Sequence, residues 1–423
     1  MCKKILIITS HYPPSNLAGV HRARLFAQHL LGFGWEPIIL TVDEQFYEEN
    51  LDWNLVKLLP TEQRIEKVNA FKITKPRLIG DIGLRAFFQL RKRAIEIIVK
   101  EKIDFIYIPI PSFYIALLGP YLNKKTGVNY GIDYIDPWVH IFPGSDKIFS
   151  RHWFTTQIAK LLEPIAVKNA SLITGVADGY YQGVIARNPH LKNTCVFGSM
   201  PYGGEVLDHE MAIKLNLAPY LFQKNSKCQL VYAGAMLPKA YDLLEIIFSE
   251  ISKHNTEFEQ IEFHFIGTGR TPNDLNGFNI KPLAQKYGLW ETIVYEYPQR
   301  IPYLEVLIHL NVADAIFVLG STEPHYSPSK VYQAVLSKKN VYAVLHREST
   351  AVNVIENSGE GYVLKFDLEA GIEKIRENFI KSFFAFISNN AELVYSNVSK
   401  NYFNEFSAKA VTKKLTDLLD CLF

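Results

Sequence analysis

The sequence predicts an α/β protein made of two Rossmann-like domains. A length of 423 residues is too large for a single hydrophobic core. Short apolar runs alternate with amphipathic helical patterns, which is typical of parallel sheets flanked by helices. The alternation restarts near residue 228, after a turn-rich stretch at 200–226. We therefore expect an N-terminal domain at 1–205, a second domain at 206–400 and a terminal helix at 401–423.

Composition indicates a globular protein and argues against disorder. Hydrophobic residues make up 48% of the chain, aromatic residues 13% and charged residues 21%. A formal charge of +2 is too small to predict a nucleic-acid partner. The four cysteines lack CxxC spacing, and the apolar run after Lys4 is too short for a secretory signal. We expect a cytoplasmic protein without a zinc site.

Each element of the first domain follows from a local pattern. Apolar runs bounded by turn residues predict the strands, and apolar residues three and four apart predict the helices. No periodicity is visible at 43–80. The expected strands are 4–9, 37–42, 103–108, 129–134, 171–174 and 194–197, and the expected helices are 20–33, 81–101, 112–126, 150–169 and 177–187.

The segment 105–122 contains no charge over eighteen residues, which is the length of a membrane span. Prolines at positions 109, 111 and 120 argue against one continuous helix. We favour a buried strand, a proline loop and a helix over a membrane span.

The second domain repeats the same alternation. The expected strands are 228–233, 260–266, 292–295, 313–318 and 340–345, and the expected helices are 239–253, 281–288, 301–310 and 329–337. Parallel strands bring the loops that follow them to one edge of the sheet, and α/β proteins bind their ligands at that edge.

Two segments of the first domain carry candidate site residues at this edge. In TSHYPPSNLAGVHR (9–22), Gly19 allows close approach to a helix start, and His11 follows the strand. In GIDYIDPWVH (131–140), Asp136 offers a carboxylate and Trp138 a flat ring. A plain strand-to-helix turn and an Asp-Pro turn remain alternatives.

The second domain has its own candidates. Ser329 and Lys330 fall at a helix start after the polar loop that contains Glu323, where a lysine and unpaired N–H groups suit an anion. Gly234 and Gly267 follow strands, although glycine pairs suit any turn.

Three motifs in this order resemble the retaining family-four glycosyltransferases, B-fold enzymes that build bacterial surface polysaccharides. The motifs are KILIITSHYPPSNLAGVHR, the DYIDPW run and PSKVYQ at 328–333. The resemblance implies two Rossmann-like domains facing a cleft. The first would be the acceptor side, the second would bind the nucleotide sugar, and the terminal helix would cross back to the first. It also implies transfer from a nucleoside-diphosphate sugar to a surface-polysaccharide or lipid-linked glycan acceptor, without a cofactor.

The resemblance assigns a role to each candidate. Asp136 and Gly19 would line the reacting sugar, and His11 and Trp138 would lie on the acceptor side. The donor would contact Lys239, Lys330, Gln333, Gly234, Gly267, Arg300, Ser329 and Glu323.

The sequence departs from the family pattern at two donor positions. Ala235 stands where the family has an arginine, and Gln333 stands where it has a glutamate that accepts both ribose hydroxyls. Arg300 or Arg270 could replace the missing cation. Two rivals stay open: one is a sugar-nucleotide epimerase or hydrolase, and the other is a non-catalytic donor-binding scaffold, which these departures favour.

The sequence gives weaker indications about a metal and about a membrane partner than about the donor. The sequence has no HExxH, GxSxG, Walker or DxD motif, so we expect no metal, and the lysines would neutralise the diphosphate. The basic helical segment 84–102 suits either an anionic membrane surface or an ordinary solvated face. Peripheral attachment at the inner face of the membrane is therefore an open alternative.

Overall fold

The computed structural model describes residues 2–77, 79–110, 112–139, 147–271, 273–324, 326, 328–359, 361–367, 371–389 and 404–423. The chain divides into two units. The first unit contains Met1–Tyr202 together with Ala408–Phe423, and the second contains Gly203–Ser407.

The first unit is built on a parallel sheet of seven strands. In chain order they are β1 Lys3–Ile8, β2 Trp35–Val42, β3 Arg64–Val68, β4 Phe105–Pro109, β5 Asn129–Tyr134, β6 Leu172–Gly175 and β7 Val196–Ser199, and they lie in the order β3-β2-β1-β4-β5-β6-β7. The helices between them are α1 Ala18–Leu30, α2 Ile82–Arg85, α3 Phe87–Glu101, α4 Leu118–Thr126, α5 Arg151–Val167 and α6 Gln182–Arg187.

The second unit is built on a parallel sheet of six strands. They are β8 Cys228–Ala233, β9 Ile261–Ile266, β10 Val294–Tyr297, β11 Ala315–Leu319, β12 Asn340–His346 and β13 Gly361–Phe366, in the order β10-β9-β8-β11-β12-β13. Its helices are α7 Val206–Lys214, α8 Tyr241–Lys253, α9 Lys281–Lys286, α10 Tyr303–Val312, α11 Lys330–Leu336, α12 Thr350–Ser358 and α13 Glu373–Asn389.

Both faces of each sheet are covered. In β1, Ile5 and Ile7 join one buried cluster, whereas Leu6 and Ile8 join another, because successive side chains of a strand point to opposite faces. The strand order reverses between β1 and β4 in the first sheet and between β8 and β11 in the second. Such a reversal opens a crevice at the carboxyl ends of the two strands.

The segments with weak patterns differ from prediction. β3 lies inside the stretch 43–80 that had no predicted strand, and it pairs with β2 at the sheet edge. The helix predicted at 81–101 is interrupted at Ala86, where φ is −103° and ψ is 2°. In the second unit, α7 lies in the predicted seam, and α12, β13 and α13 lie beyond the last predicted strand.

The uncharged segment 105–122 contains strand β4, a 3₁₀ helix at Phe113–Leu117 and the start of α4. Among the described residues, none of the helices combines the length and apolar character that crossing a bilayer requires.

The last helix, α14 at Ala408–Asp420, packs in the first unit although the second unit separates it from the rest of that unit in sequence. Val411, Leu415 and Leu419 enter the cluster that contains Phe26 of α1. Contact with the sheet is close at β7, because a Cβ on Gly198 would lie 2.4 Å from Leu418 Cδ1. Residues 401–403 of the predicted terminal helix lie outside the described residues.

Leu415→Ala is expected to lower the free energy of unfolding by about 2–5 kcal/mol, because Leu415 is fully buried and its loss leaves a cavity. Urea unfolding followed by circular dichroism measures this change. Lys414→Ala on the exposed side of the same helix is the matched control and should change stability by less than about 0.5 kcal/mol. Equal effects would contradict the packing of α14.

Candidate functional site

The first unit places His11 just beyond the carboxyl end of β1. Its Nδ1 lies 3.1 Å from Ser10 Oγ, and its Nε2 lies 3.9 Å from Glu49 Oε1. Burial lowers the pKa of His11, and the charge of Glu49 partly opposes this shift. A neutral imidazole beside a carboxylate can accept a proton from a hydroxyl group. Glu49 lies in the stretch 43–80, for which the sequence predicted no helix or strand.

A buried ion pair connects α1 with β5. Arg22 donates from Nε to Asp133 Oδ2 at 2.8 Å and from Nη2 to Oδ1 at 3.0 Å, and neither side chain is exposed. Asp133 also accepts a hydrogen bond from Thr174 at 2.7 Å. The carboxylate is therefore fully engaged inside the unit, and its function is to hold α1 against the sheet.

Two predicted site residues of the first unit, Asp136 and Gly19, lie in different environments. Asp136 is exposed just after β5. Burial raises the pKa of Tyr202, and the charge of Asp136 raises it further. Gly19 is buried in the first turn of α1, where no side chain caps the helix.

Trp138 contributes mainly to the core of the first unit. It is 7% exposed, and its ring stacks on Phe113 with the centroids 5.8 Å apart and the planes 6° apart. Little of the ring is left for a sugar, so its place on the acceptor side stays a prediction.

In the second unit, the turn after β8 contacts the side chain of Lys330. Gly234 has a φ of +105°, which favours glycine. The Lys330 ammonium lies 3.6 Å from the centroid of the Tyr232 ring and 3.5 Å from the Ala235 carbonyl oxygen. Burial lowers the pKa of Lys330 to about 7, and among the described residues no carboxylate opposes this shift.

Turns after three neighbouring strands meet near Lys330. Gly267 N donates to Tyr297 O at 2.8 Å, and Gly234 N donates to Ile266 O at 2.8 Å. A Cβ on Gly267, whose φ is +71°, would lie 3.7 Å from the Cα of Arg300 and 3.9 Å from that of Gly234. The structure thus brings together Gly234, Gly267, Arg300 and Lys330, which the sequence assigned to one site.

Lys239 and Glu323 form an ion pair with each other. Lys239 Nζ lies 3.1 Å from Glu323 Oε1, and the two side chains are 42% and 26% exposed. Thr322 N also donates to the Lys239 carbonyl oxygen at 3.3 Å. A partly exposed pair of this kind contributes little to stability, so Lys239 can exchange partners at low cost.

Gln333 has a partner that the sequence did not predict. Its Oε1 lies 2.9 Å from Nε2 of His209, which is on α7. Burial lowers the pKa of His209, so the neutral ring donates its Nε2–H to the amide oxygen. Ser329 precedes α11 without a side-chain capping bond. His325 and Ser327 of the neighbouring loop lie outside the described residues.

Two of the three basic residues at 91–93 contact other side chains of the first unit. Arg91 lies over the rings of Phe88 and Tyr121, with centroid distances of 5.2 and 4.8 Å. Arg93 forms ion pairs of 2.7 Å with Glu66 and Glu96. Arg91 and Arg93 are therefore engaged within the first unit.

Comparison with known proteins establishes the fold. No protein-family model matches the chain, and no curated protein matches it in sequence. A glycosyltransferase from Rickettsia africae is similar in structure, with 17% identity, a TM-score of 0.61 and coverage of 98% of this chain and 97% of the other. Anabaena Alr3699/HepE, solved in complex with UDP and glucose, has 14% identity, a TM-score of 0.63 and coverage of 99% and 100%.

Sucrose-phosphate synthase from Thermosynechococcus elongatus is also similar, with 13% identity, a TM-score of 0.63 and coverage of 100% of this chain and 99% of the other. These likenesses confirm the predicted α/β fold with two Rossmann-like domains, the glycosyltransferase B fold. At these identities they establish the fold and leave the reaction to be argued from the residues.

Asp133→Ala is expected to destabilise the first unit by about 3–5 kcal/mol, because it leaves the Arg22 guanidinium buried without its carboxylate. Urea unfolding monitored by circular dichroism provides the measurement, with exposed Asp136→Ala as the control. A wild-type unfolding midpoint for Asp133→Ala would contradict the structural function of this pair.

Proposed function

We propose that this chain is a retaining glycosyltransferase that moves a sugar from a nucleoside diphosphate to a surface-polysaccharide or lipid-linked glycan acceptor. The observation that carries the proposal is the Lys330 ammonium, held against Tyr232 at the carboxyl edge of the second sheet. The fold shared with HepE, which was crystallised with UDP and glucose, supports a nucleotide-sugar donor.

The donor diphosphate would bind at Lys330. Burial lowers the pKa of the ammonium, so the free protein holds the positive charge only weakly at this point. A diphosphate would supply that compensation and restore the proton, since an anion close to a lysine favours its charged form. Gly234 lies beside it without a side chain, and a Cβ there would be 3.7 Å from Lys330 Nζ. The backbone can therefore approach a phosphate closely.

Neighbouring residues would complete the donor site. Lys239 would leave Glu323 for the diphosphate, and Glu323 would be free to accept a hydrogen bond from the donor. Arg300 and Gly267 would line the turn that faces the base. Gln333, oriented by His209, would contact the ribose through its amide.

The acceptor side would be supplied by the first unit. We place Asp136 and Gly19 at the reacting sugar and His11 at the acceptor. In a retaining transfer, the acceptor hydroxyl attacks the face that the diphosphate leaves, and a phosphate oxygen takes its proton. His11 beside Glu49 favours a second candidate, an inverting transfer in which the imidazole takes that proton. The anomeric configuration of the product distinguishes the two.

We propose that the protein works in the cytoplasm with peripheral attachment to the inner face of the membrane, where lipid-linked acceptors are present. Charge on the leaving diphosphate would be neutralised by Lys330 and Lys239 without a bound metal. Turnover is then expected to persist in excess chelator.

Lys330→Ala is expected to weaken UDP binding by about 1.5–3 kcal/mol, the range for hydrogen bonds to charged groups. Lys239→Ala should weaken it less, because Lys239 must first leave Glu323. Isothermal titration calorimetry with and without EDTA measures both effects. The control is Lys253→Ala, which removes an exposed ion-paired lysine at the other end of α8.

Unchanged UDP affinity in both variants would contradict the proposed donor site. Transfer itself is tested by incubating the full chain with nucleotide sugars and cell-envelope lipid extract and analysing the products by mass spectrometry. Free sugar released without an acceptor would favour a hydrolase or epimerase, whereas firm donor binding with no product from any donor would favour a scaffold.

A further inference from the structure

Four large apolar side chains of helix α5 face solvent, whereas an ordinary surface helix turns such side chains toward the core. Phe154, Ile158, Leu161 and Ile165 are 48%, 41%, 69% and 51% exposed. Their spacing of four, three and four residues places them in one stripe along the helix. The side chains that α5 buries are mostly small or polar: Thr156, Ala159, Glu163, Ala166 and Val167.

The segment before α5 extends this apolar surface. Ile148 and Phe149 are 68% and 76% exposed. Phe149 has a φ of +66°, an unusual conformation for a bulky residue. Its ring lies 5.7 Å from that of Trp153 and 6.2 Å from that of Phe154. Aromatic side chains therefore cluster at the N-terminal end of the stripe, in contact with solvent.

The charge around the stripe has one sign. Arg151, Lys160 and Lys168 are all exposed along or just after the helix. Its one acidic residue, Glu163, is buried and accepts hydrogen bonds from Arg187 at 2.7 and 2.9 Å. The outward face of α5 is thus apolar and cationic without a compensating carboxylate of its own helix.

We propose that the outward face of α5 binds an anionic lipid surface. A helix with exposed apolar side chains flanked by lysine and arginine lies in the membrane interface, where the apolar residues enter the acyl boundary and the cations meet lipid phosphates. A second copy of the chain fits this face less well, because pairing two such faces would oppose cations of the same sign. The proposal extends the peripheral attachment proposed above by naming its surface.

The experiment uses the full chain in sedimentation with two kinds of vesicles, phosphatidylcholine alone and phosphatidylcholine mixed with phosphatidylglycerol. The wild type should bind the mixed vesicles at low salt. Replacing Arg151, Lys160 and Lys168 by glutamine should lower partitioning about a hundredfold, at about fivefold for each basic residue near the surface. Phe154→Ser with Leu161→Ser should also release the protein, and because both positions are exposed, circular dichroism should show an unchanged fold.

The matched control removes the same number of cations from α3. The variant with Arg91, Lys92 and Arg93 replaced by glutamine should keep most of the wild-type binding, because Arg91 and Arg93 are engaged with other side chains. Loss of binding in the α3 variant alone would overturn the assignment to α5, and so would a wild type that binds neither vesicle.

A dimer in analytical ultracentrifugation that dissociates in the Phe154→Ser, Leu161→Ser variant would show that a second copy covers the stripe, and would also overturn the proposal. Vesicle binding needs neither donor nor acceptor. Its failure would therefore leave the proposed transfer reaction untouched, and failure of the transfer assay would leave the lipid surface untouched.

Discussion

Parallel strand pairing is the constraint on which both units depend. Because every strand pair in the two sheets is parallel, all the loops that follow the strands emerge at one edge of each sheet. This arrangement brings the side chain of Lys330 to the turn at Gly234, where its Nζ lies 3.5 Å from the Ala235 carbonyl oxygen although the two residues of that contact are 95 positions apart in sequence. The same constraint requires strands that are buried on both faces, and it explains why β4 and β11 consist of buried residues throughout.

In the proposed donor site, Lys330 is a cation that burial destabilises. Its ammonium is held by an aromatic ring and a carbonyl oxygen, and burial lowers its pKa to about 7. The Arg22–Asp133 pair shows the opposite solution, in which a buried cation is matched by a carboxylate. Removing either partner of a fully paired buried cation is costly, so such a pair keeps its place in the fold, whereas an incompletely compensated cation is suited to a ligand that carries the missing charge.

Sequence reasoning recovered the elements whose patterns are local. β5 and β8 have the predicted bounds: β8, CQLVYA, is a mostly apolar run, and β5, NYGIDY, is a short segment that follows the turn at Gly127. β3 was missed because its sequence, RIEKV, has three charged residues among five and no regular alternation, and because the strand pairs only at the sheet edge. Contacts over long separations were also missed: His209 reaches Gln333 across 124 positions. The outward stripe of α5 reads in sequence like a core-facing one, because periodicity does not reveal which side a helix buries.

The most direct test of the account is the number of protons taken up when UDP binds. Calorimetric titration at pH 8 in buffers of different ionisation enthalpy measures it. Above pH 7, Lys330 is largely neutral in the free protein, so binding of the anion should take up close to one proton, and affinity should fall as pH rises. As pH falls below 7 the uptake by Lys330 should decline toward zero, and Lys330→Arg should remove it at every pH. UDP binding at pH 8 without proton uptake in the wild type would contradict the assignment of Lys330 to the diphosphate.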